Sequence, residues 1–232
     1  MGDYAYLRDR GYSSRPAVTL VGDRYRLSRR QRTILYRGVC SEEEARSRWR
    51  RIALPAAAAG STLNVDGYNI LLIVYHFLVG YPVFLCRDGL VRDAGLSRGR
   101  SARPEKLEQV VRSLVATLET APDPPNTVRI VLDEAMSHSR DHAGILRSVW
   151  AQAGADTENR LPRLEVRLSP GADGELAAAD EGLLATSDSQ IIDRSRLPVV
   201  DLPRWILEER LGVSPAGLWN PGEPLPGYRG GL

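Results

Sequence analysis

The chain has 232 residues, of which 43% are hydrophobic and 26% charged, with a formal net charge of +2. That is the composition of an ordinary globular protein, long enough to bury a sizeable core as one large domain or one domain plus a smaller appendage. No apolar run reaches the ~18 residues of a bilayer-spanning helix. The opening Met1-Gly2-Asp3-Tyr4 lacks the basic-then-apolar order of a signal peptide. Two cysteines, Cys40 and Cys86, are too few for a disulfide framework or a zinc site, so a cytoplasmic protein with no membrane partner is expected.

Lys106 is the sole lysine among 31 basic residues, a bias that a GC-rich genome alone explains. Placement carries more information. Residues 1–51 hold 13 Arg against 6 Asp or Glu, a net of +7, which leaves −5 for the remainder. A basic segment ahead of a slightly acidic one suits attraction of a polyanion, and a solvated helical surface shows the same pattern.

In chain order, residues 1–60 read as a small arginine-rich helical region. Pro16 to Gly22 is a short helix. Ser28 with Gln31 is a capping-box pattern that starts a second helix through Ile34, Leu35 and Tyr36. Ser41 with Glu44 repeats it and starts a third through Ala45, Trp49 and Ile52. Leu54 to Ser61 reads as a connector. Residues 61–212 then alternate strand and helix. Thr62 to Asp66 is a buried strand ending on a carboxylate. Gly67 turns the chain, and Tyr68 to Phe77 is a helix. Val83 to Cys86 is a short strand or extended segment. Arg87-Asp88-Gly89-Leu90-Val91-Arg92-Asp93 reads either as a surface hairpin turning at Asp-Gly, or as a loop at the ligand-binding edge of the sheet.

Pro104 opens an amphipathic helix carrying Leu107, Val110, Val111, Leu114, Val115 and Leu118. Thr127 to Leu132 is a second strong strand, ending at Asp133, and a helix follows from about Asp141 to Ala153. Leu164 to Leu168 alternates, as a strand near a sheet edge does. Pro170 to Gly174 reads as a turn and Glu175 to Asp180 as a short helix. Leu183 to Thr186 is a strand ending near Asp188, and Ile191 opens the next helix. Pro198 to Val200 is a last strand and Leu202 to Leu211 a last helix. Residues 213–232, rich in Pro and Gly, read as an extended tail.

This alternation predicts an α/β fold with a mostly parallel central sheet and helices on both faces. Three strands end on carboxylates: Asp66, Asp133 and Asp188. Gathered at one sheet edge, they repel one another, and a hard divalent cation such as Mg²⁺ or Mn²⁺ relieves that repulsion. The bland alternative is that each caps the helix that follows it. His76 and His142 make no metal-ligand spacing with each other. No phosphate-binding glycine loop or nucleophilic triad order is present.

Val65-Asp66-Gly67-Tyr68-Asn69 resembles the first acidic motif of PIN-like nucleases, a strand ending in Asp-Gly-x-Asn. Leu184-Ala185-Thr186-Ser187-Asp188 resembles their later motif, a strand followed by Thr or Ser, one residue, then Asp. The chain also looks like a prokaryotic family of unknown function with a C-terminal PIN-like domain. The residues that carry this likeness are Arg10-Gly11-Tyr12, Asp23 to Ser28 and Arg87 to Asp93.

The resemblance spans roughly residues 4–202. It implies a three-layer, metal-dependent ribonuclease fold with Mg²⁺ or Mn²⁺ held by Asp66, Asp133, Asp188 and Asp193, and RNA as the partner. Asn69, Arg87, Asp88, Arg92, Asp93, Arg98, Arg100 and Ser187 are the residues expected to bind substrate, and a homodimer is expected by analogy. The chain departs from the pattern in one place. The helix where many such domains carry a second carboxylate offers only Glu105 or Glu108. The leading functional expectation is therefore RNA hydrolysis. A non-catalytic nucleic-acid-binding protein on the same scaffold is the alternative, with a small-molecule phosphohydrolase third.

Overall fold

Alternation of buried side chains along the central strands sets the architecture. In the computed structural model, which describes residues 1–95, 103–156, 161–213 and 218, six strands form one parallel sheet. They are β1 (Ile52–Ala53), β2 (Thr62–Asp66), β5 (Thr127–Asp133), β6 (Arg163–Ser169), β7 (Leu183–Ala185) and β8 (Val199–Val200). Their order is β1-β8-β7-β2-β5-β6, with every pairing parallel. Val128, Ile130 and Leu132 of β5 point to one face and Val131 to the other. Leu183 and Ala185 of β7 likewise oppose Leu184. Period-two burial on both faces demands a helical layer on each.

The larger layer is α5 (Gly67–Leu78), α6 (Pro104–Glu119), α7 (Ser139–Asp156) and α10 (Leu202–Leu211), packed over Leu63, Val65 and Ile130. The smaller is α8 (Ala172–Ala177) and α9 (Ser189–Arg194), which cover Val131, Leu184 and Val199. Asn64 sits within β2 at 1% exposure. Its amide donates to Glu181 O and Leu183 O at 2.9 and 3.2 Å and accepts from Arg129, so the buried polar group is satisfied.

From β2 the chain moves to β5 and β6 on one side, then returns to β7 and β8 on the other. The boundary between β2 and β7 is therefore the topological switch point, the place beyond the carboxyl ends of the strands where open α/β sheets generally bind ligands.

The N-terminal region folds as α1 (Gly2–Asp9), α2 (Ser14–Arg24), α3 (Arg29–Gly38) and α4 (Glu42–Trp49) around Tyr4, Ala17, Val21, Leu35 and Val39. Both capping boxes form, Ser28 with Gln31 and Ser41 with Glu44. The helix begun at Ser41 stops at Trp49, short of the expected Ile52. Ile52 and Ala53 instead pair with Val199 and Val200 at the sheet edge. A short 3-10 turn over Pro55–Ala58 follows.

The largest correction concerns residues 87–93. They belong to an antiparallel hairpin of β3 (Val83–Leu85) and β4 (Val91–Asp93), turning at Asp88-Gly89, with Gly89 at φ 81°. The hairpin is neither on the surface nor an open loop: Asp88, Arg92 and Asp93 are 1%, 3% and 2% exposed. The N-terminal helices cover it, with Ile34 of α3 packed against Phe84, Cys86 and Ala94. Charges can be buried there because they are paired. Helix α8 begins at Ala172, within the stretch read as a turn. No helix among the described residues is long and apolar enough to cross a membrane, and both cysteines are buried and free.

Candidate functional site

Asp66 ends β2 and caps α5, its Oδ1 accepting the Asn69 N–H at 3.3 Å. Its other oxygen, Oδ2, accepts the Thr186 hydroxyl at 2.8 Å from across the switch point. Thr186 Oγ1 in turn accepts the Asp188 N–H at 3.1 Å, so one hydroxyl spaces the two carboxylate-bearing segments. A second tie runs from the Ser187 N–H to Asn69 Oδ1 at 3.1 Å. The two sequence motifs thus face each other and are joined by two hydrogen bonds.

Burial pushes the Asp66 carboxyl up to about 7. The hydrogen bonds from Thr186 and Asn69 oppose the rise, while the charges of Asp188 and Asp173 add to it. Asp188 caps α9 through Gln190 N at 2.7 Å, and Asp133 accepts the Ala135 N–H at 2.9 Å. Asp66 and Asp188 therefore do cap the helices that follow them, as the bland alternative holds, whereas Asp133 closes a turn ahead of α7, which begins at Ser139. For Asp66, capping coexists with an electrostatic load that capping does not explain.

Sequence reasoning misses Asp173. It lies in the first turn of α8, beyond the end of β6. Burial raises its pKa, as do the charges of Asp188 and Asp133. Its setting in Pro-Gly-Ala-Asp-Gly reads as a turn, and the available signal is its position one short connection after a strand. Tyr68 is likewise not singled out by the sequence. Its hydroxyl lies 3.0 Å from His142 Nδ1, and burial followed by the charge of Asp133 pushes its pKa up to about 12. Burial also lowers the pKa of His142, with the charge of His138 adding to the effect.

The remaining expected site residues within the described residues are engaged in ion pairs, and Arg92 and Asp193 among them line a cavity with Asn69, Ser187 and Asp188. Asp193 is held bidentately by Arg48, Nε–Oδ1 at 2.8 Å and Nη2–Oδ2 at 2.7 Å, so its charge is already matched by a guanidinium. Arg48 Nη1 also reaches Asp88 at 3.1 Å, and Arg92 grips Asp88 at 2.7 and 2.8 Å. Asp88 and Arg92 therefore neutralise each other within the hairpin. Arg92 Nε donates to Ser187 O at 2.7 Å, so it supports the strand end from below. Arg87 pairs with Asp9 at 2.8 Å, and Asp93 with Arg37 and His76 at 3.3 and 3.1 Å. Glu105 is exposed and Glu108 pairs with Arg112. Arg98 and Arg100 lie outside the described residues, as does the tail from residue 214 except Leu218.

The arrangement offers oxygen donors only, which suits a hard cation. Among the described residues, no group of three or more His, Cys, Asp or Glu side chains is gathered closely enough to hold a metal ion.

Two family models match the chain. One, described as "Domain of unknown function (DUF5616)", covers residues 55–205. The other, "Protein of unknown function (DUF434)", covers residues 1–51. A curated relative from Methanocaldococcus jannaschii, "Uncharacterized protein MJ0935", is 28% identical over 117 residues, 50% of this chain and 56% of that protein. The chain thus spans about half the length of the curated relative it matches. No solved structure matches the chain.

Proposed function

We propose a function for a chain that belongs to the family described as "Domain of unknown function (DUF5616)": a metal-dependent nuclease that hydrolyses RNA on a PIN-like scaffold. One observation carries this reading. A strand-end carboxyl, Asp66, accepts the Thr186 hydroxyl across the topological switch point and is pushed up to about 7 by burial, with the charges of Asp188 and Asp173 adding to the rise. A perturbed carboxyl in a crevice, coupled to others of like charge, is a common mark of a catalytic or metal site.

On this reading Asp66 and Asp188 hold Mg²⁺ or Mn²⁺. A bound divalent ion supplies Lewis-acid activation of the phosphoryl group and a water of lowered pKa. Thr186 fixes the spacing of the two carboxylates, through its bonds to Asp66 Oδ2 and the Asp188 N–H. Asn69 holds the Ser187 backbone in register with α5. Asp133 and Asp173 add negative potential, and Asp193 helps hold the N-terminal region through Arg48.

The test is cleavage of end-labelled RNA by purified protein in Mg²⁺ or Mn²⁺, with chelator as control. Asp66→Asn and Asp188→Asn are expected to slow cleavage by about 10²-fold or more. RNA affinity should stay similar or rise, because a repelling charge is lost. Metal-dependent cleavage that survives both substitutions would falsify this site. A second reading, a non-catalytic nucleic-acid-binding protein, is favoured by the lack of a three-ligand group among the described residues. It predicts strongly salt-dependent RNA binding with no cleavage in any metal.

A further inference from the structure

A cavity of about 250 Å³ opens where the N-terminal helices face the first turns of α5 and α9. Arg8, Tyr36 and Arg37 line one wall, and Asn69, Ser187 and Asp188 line the other. Two buried donor atoms of lining residues have no hydrogen-bond partner among the described residues, Nε of Arg8 and Oγ of Ser187, the latter residue 2% exposed, while the terminal nitrogens of Arg8 are held by Glu44, also in the lining, and by Tyr12 O. Native proteins rarely leave such atoms unpaired. The Ser187 hydroxyl, on a residue that lines the cavity, calls for an acceptor there.

The other lining groups narrow its chemistry. Among the described residues Arg37 has a single, long ion pair, 3.3 Å to Asp93, and it keeps 28% of its side chain exposed. Its guanidinium therefore retains free N–H donors suited to a phosphate. Tyr36 is 41% exposed and offers an aromatic face of the kind on which a base stacks. Asp188 commits Oδ1 to Gln190 N, leaving Oδ2 to accept from a hydroxyl. The volume lies just below the ~300–1,000 Å³ usual for ligand pockets, so it suits one nucleotide unit better than a long strand.

We propose that this cavity is a subsite for one phosphorylated ribonucleotide unit, with its phosphate on Arg37 and the Ser187 hydroxyl, its base on Tyr36 and its ribose hydroxyls toward Asp188. The inference deepens the nuclease reading and rests on it for RNA as the substrate class. It also gives the N-terminal region a role, because those helices complete a site that the α/β sheet leaves open on one side. The same chemistry is offered by a free mononucleotide and by a phosphorylated RNA end.

The test is calorimetric titration of the full chain in chelator, where cleavage plays no part. The probes are a nucleoside monophosphate, its deoxy counterpart, and short RNAs ending in phosphate or hydroxyl. Binding of the monophosphate alone assigns the free nucleotide. Tighter binding of the phosphate-ended RNA than the hydroxyl-ended one assigns a strand end. Either supports the proposal, provided Arg37→Ala weakens binding about tenfold, as loss of a charge-assisted contact should. Tyr36→Ala should cost about fivefold or more while Tyr36→Phe retains affinity. Both positions are partly exposed, so these variants are expected to fold. Affinity that ignores the terminal phosphate, or that neither alanine variant changes, overturns the subsite and leaves the two donors hydrated. Loss of metal-dependent cleavage with intact binding in chelator would count against the nuclease reading alone.

Discussion

Asp66 combines two roles that pull against each other. As a cap it is best ionised, yet burial pushes its carboxyl up to about 7 from an ordinary value of 3.8. Asp201, buried at the start of α10, is raised to about 7 by the same cause. A carboxyl whose folded pKa is raised binds more protons folded than unfolded. Its stabilising contribution is full below about pH 4 and is lost as pH rises through about 7. Without metal, the melting temperature should therefore decline across that window. Asp66→Asn, which keeps an acceptor for Thr186, should flatten the decline. A slope identical in wild type and variant would show that Asp66 is not the group responsible. Asp66, Asp133 and Asp188 are legible in the sequence because an apolar run that ends on a carboxylate is a local pattern. Asp173 is not, because its relation to Asp188 and Asp133 exists only after the sheet has formed.

Among elements, the entry into α5 is closely packed against β5. A Cβ at Gly67 would lie 2.5 Å from Leu132 Cδ2, 2.8 Å from Ile130 Cγ2 and 3.1 Å from Val131 O. The glycine lets the first turn of α5 lie against β5, which brings Asp66 and Asn69 to the switch point. Gly67→Ala is expected to cost about 1–3 kcal/mol, as overpacking does, read from urea unfolding. A variant as stable as wild type would mean that β5 yields without strain. The β3–β4 hairpin shows why an element can be read correctly and placed wrongly. Its Asp-Gly turn signals a reversal, but its Arg-Asp composition also suits an exposed loop. Its burial depends on partners distant in sequence, such as Arg48, 40 residues from Asp88.

At the scale of the molecule, the N-terminal region is joined to the α/β body by ion pairs as well as by apolar contact. Arg48, 6% exposed, bridges Asp88 of the hairpin and Asp193 of α9. Arg37–Asp93 and Arg87–Asp9 flank it. Removing one partner from a buried pair usually costs ~3–5 kcal/mol. Arg48→Ala should fall toward the low end, because Arg92 still holds Asp88. Limited proteolysis should then cut the N-terminal helices before the sheet. Unchanged stability and unchanged cleavage order would show that apolar packing alone seats the region.

The amino-acid order alone determined the alternation of strands and helices, both capping boxes, the glycine at Gly67 and the three aspartates at strand ends. Each rests on contacts within a few residues, where backbone geometry is set. The tertiary structure alone decided that β7 returns beside β2, that Thr186 links Asp66 to Asp188, and that Arg48 pairs with Asp193. It also enclosed a cavity between segments far apart in the chain, such as those carrying Arg37 and Ser187. Those outcomes depend on which buried charges find partners, and local spacing carries no record of a partner distant in sequence.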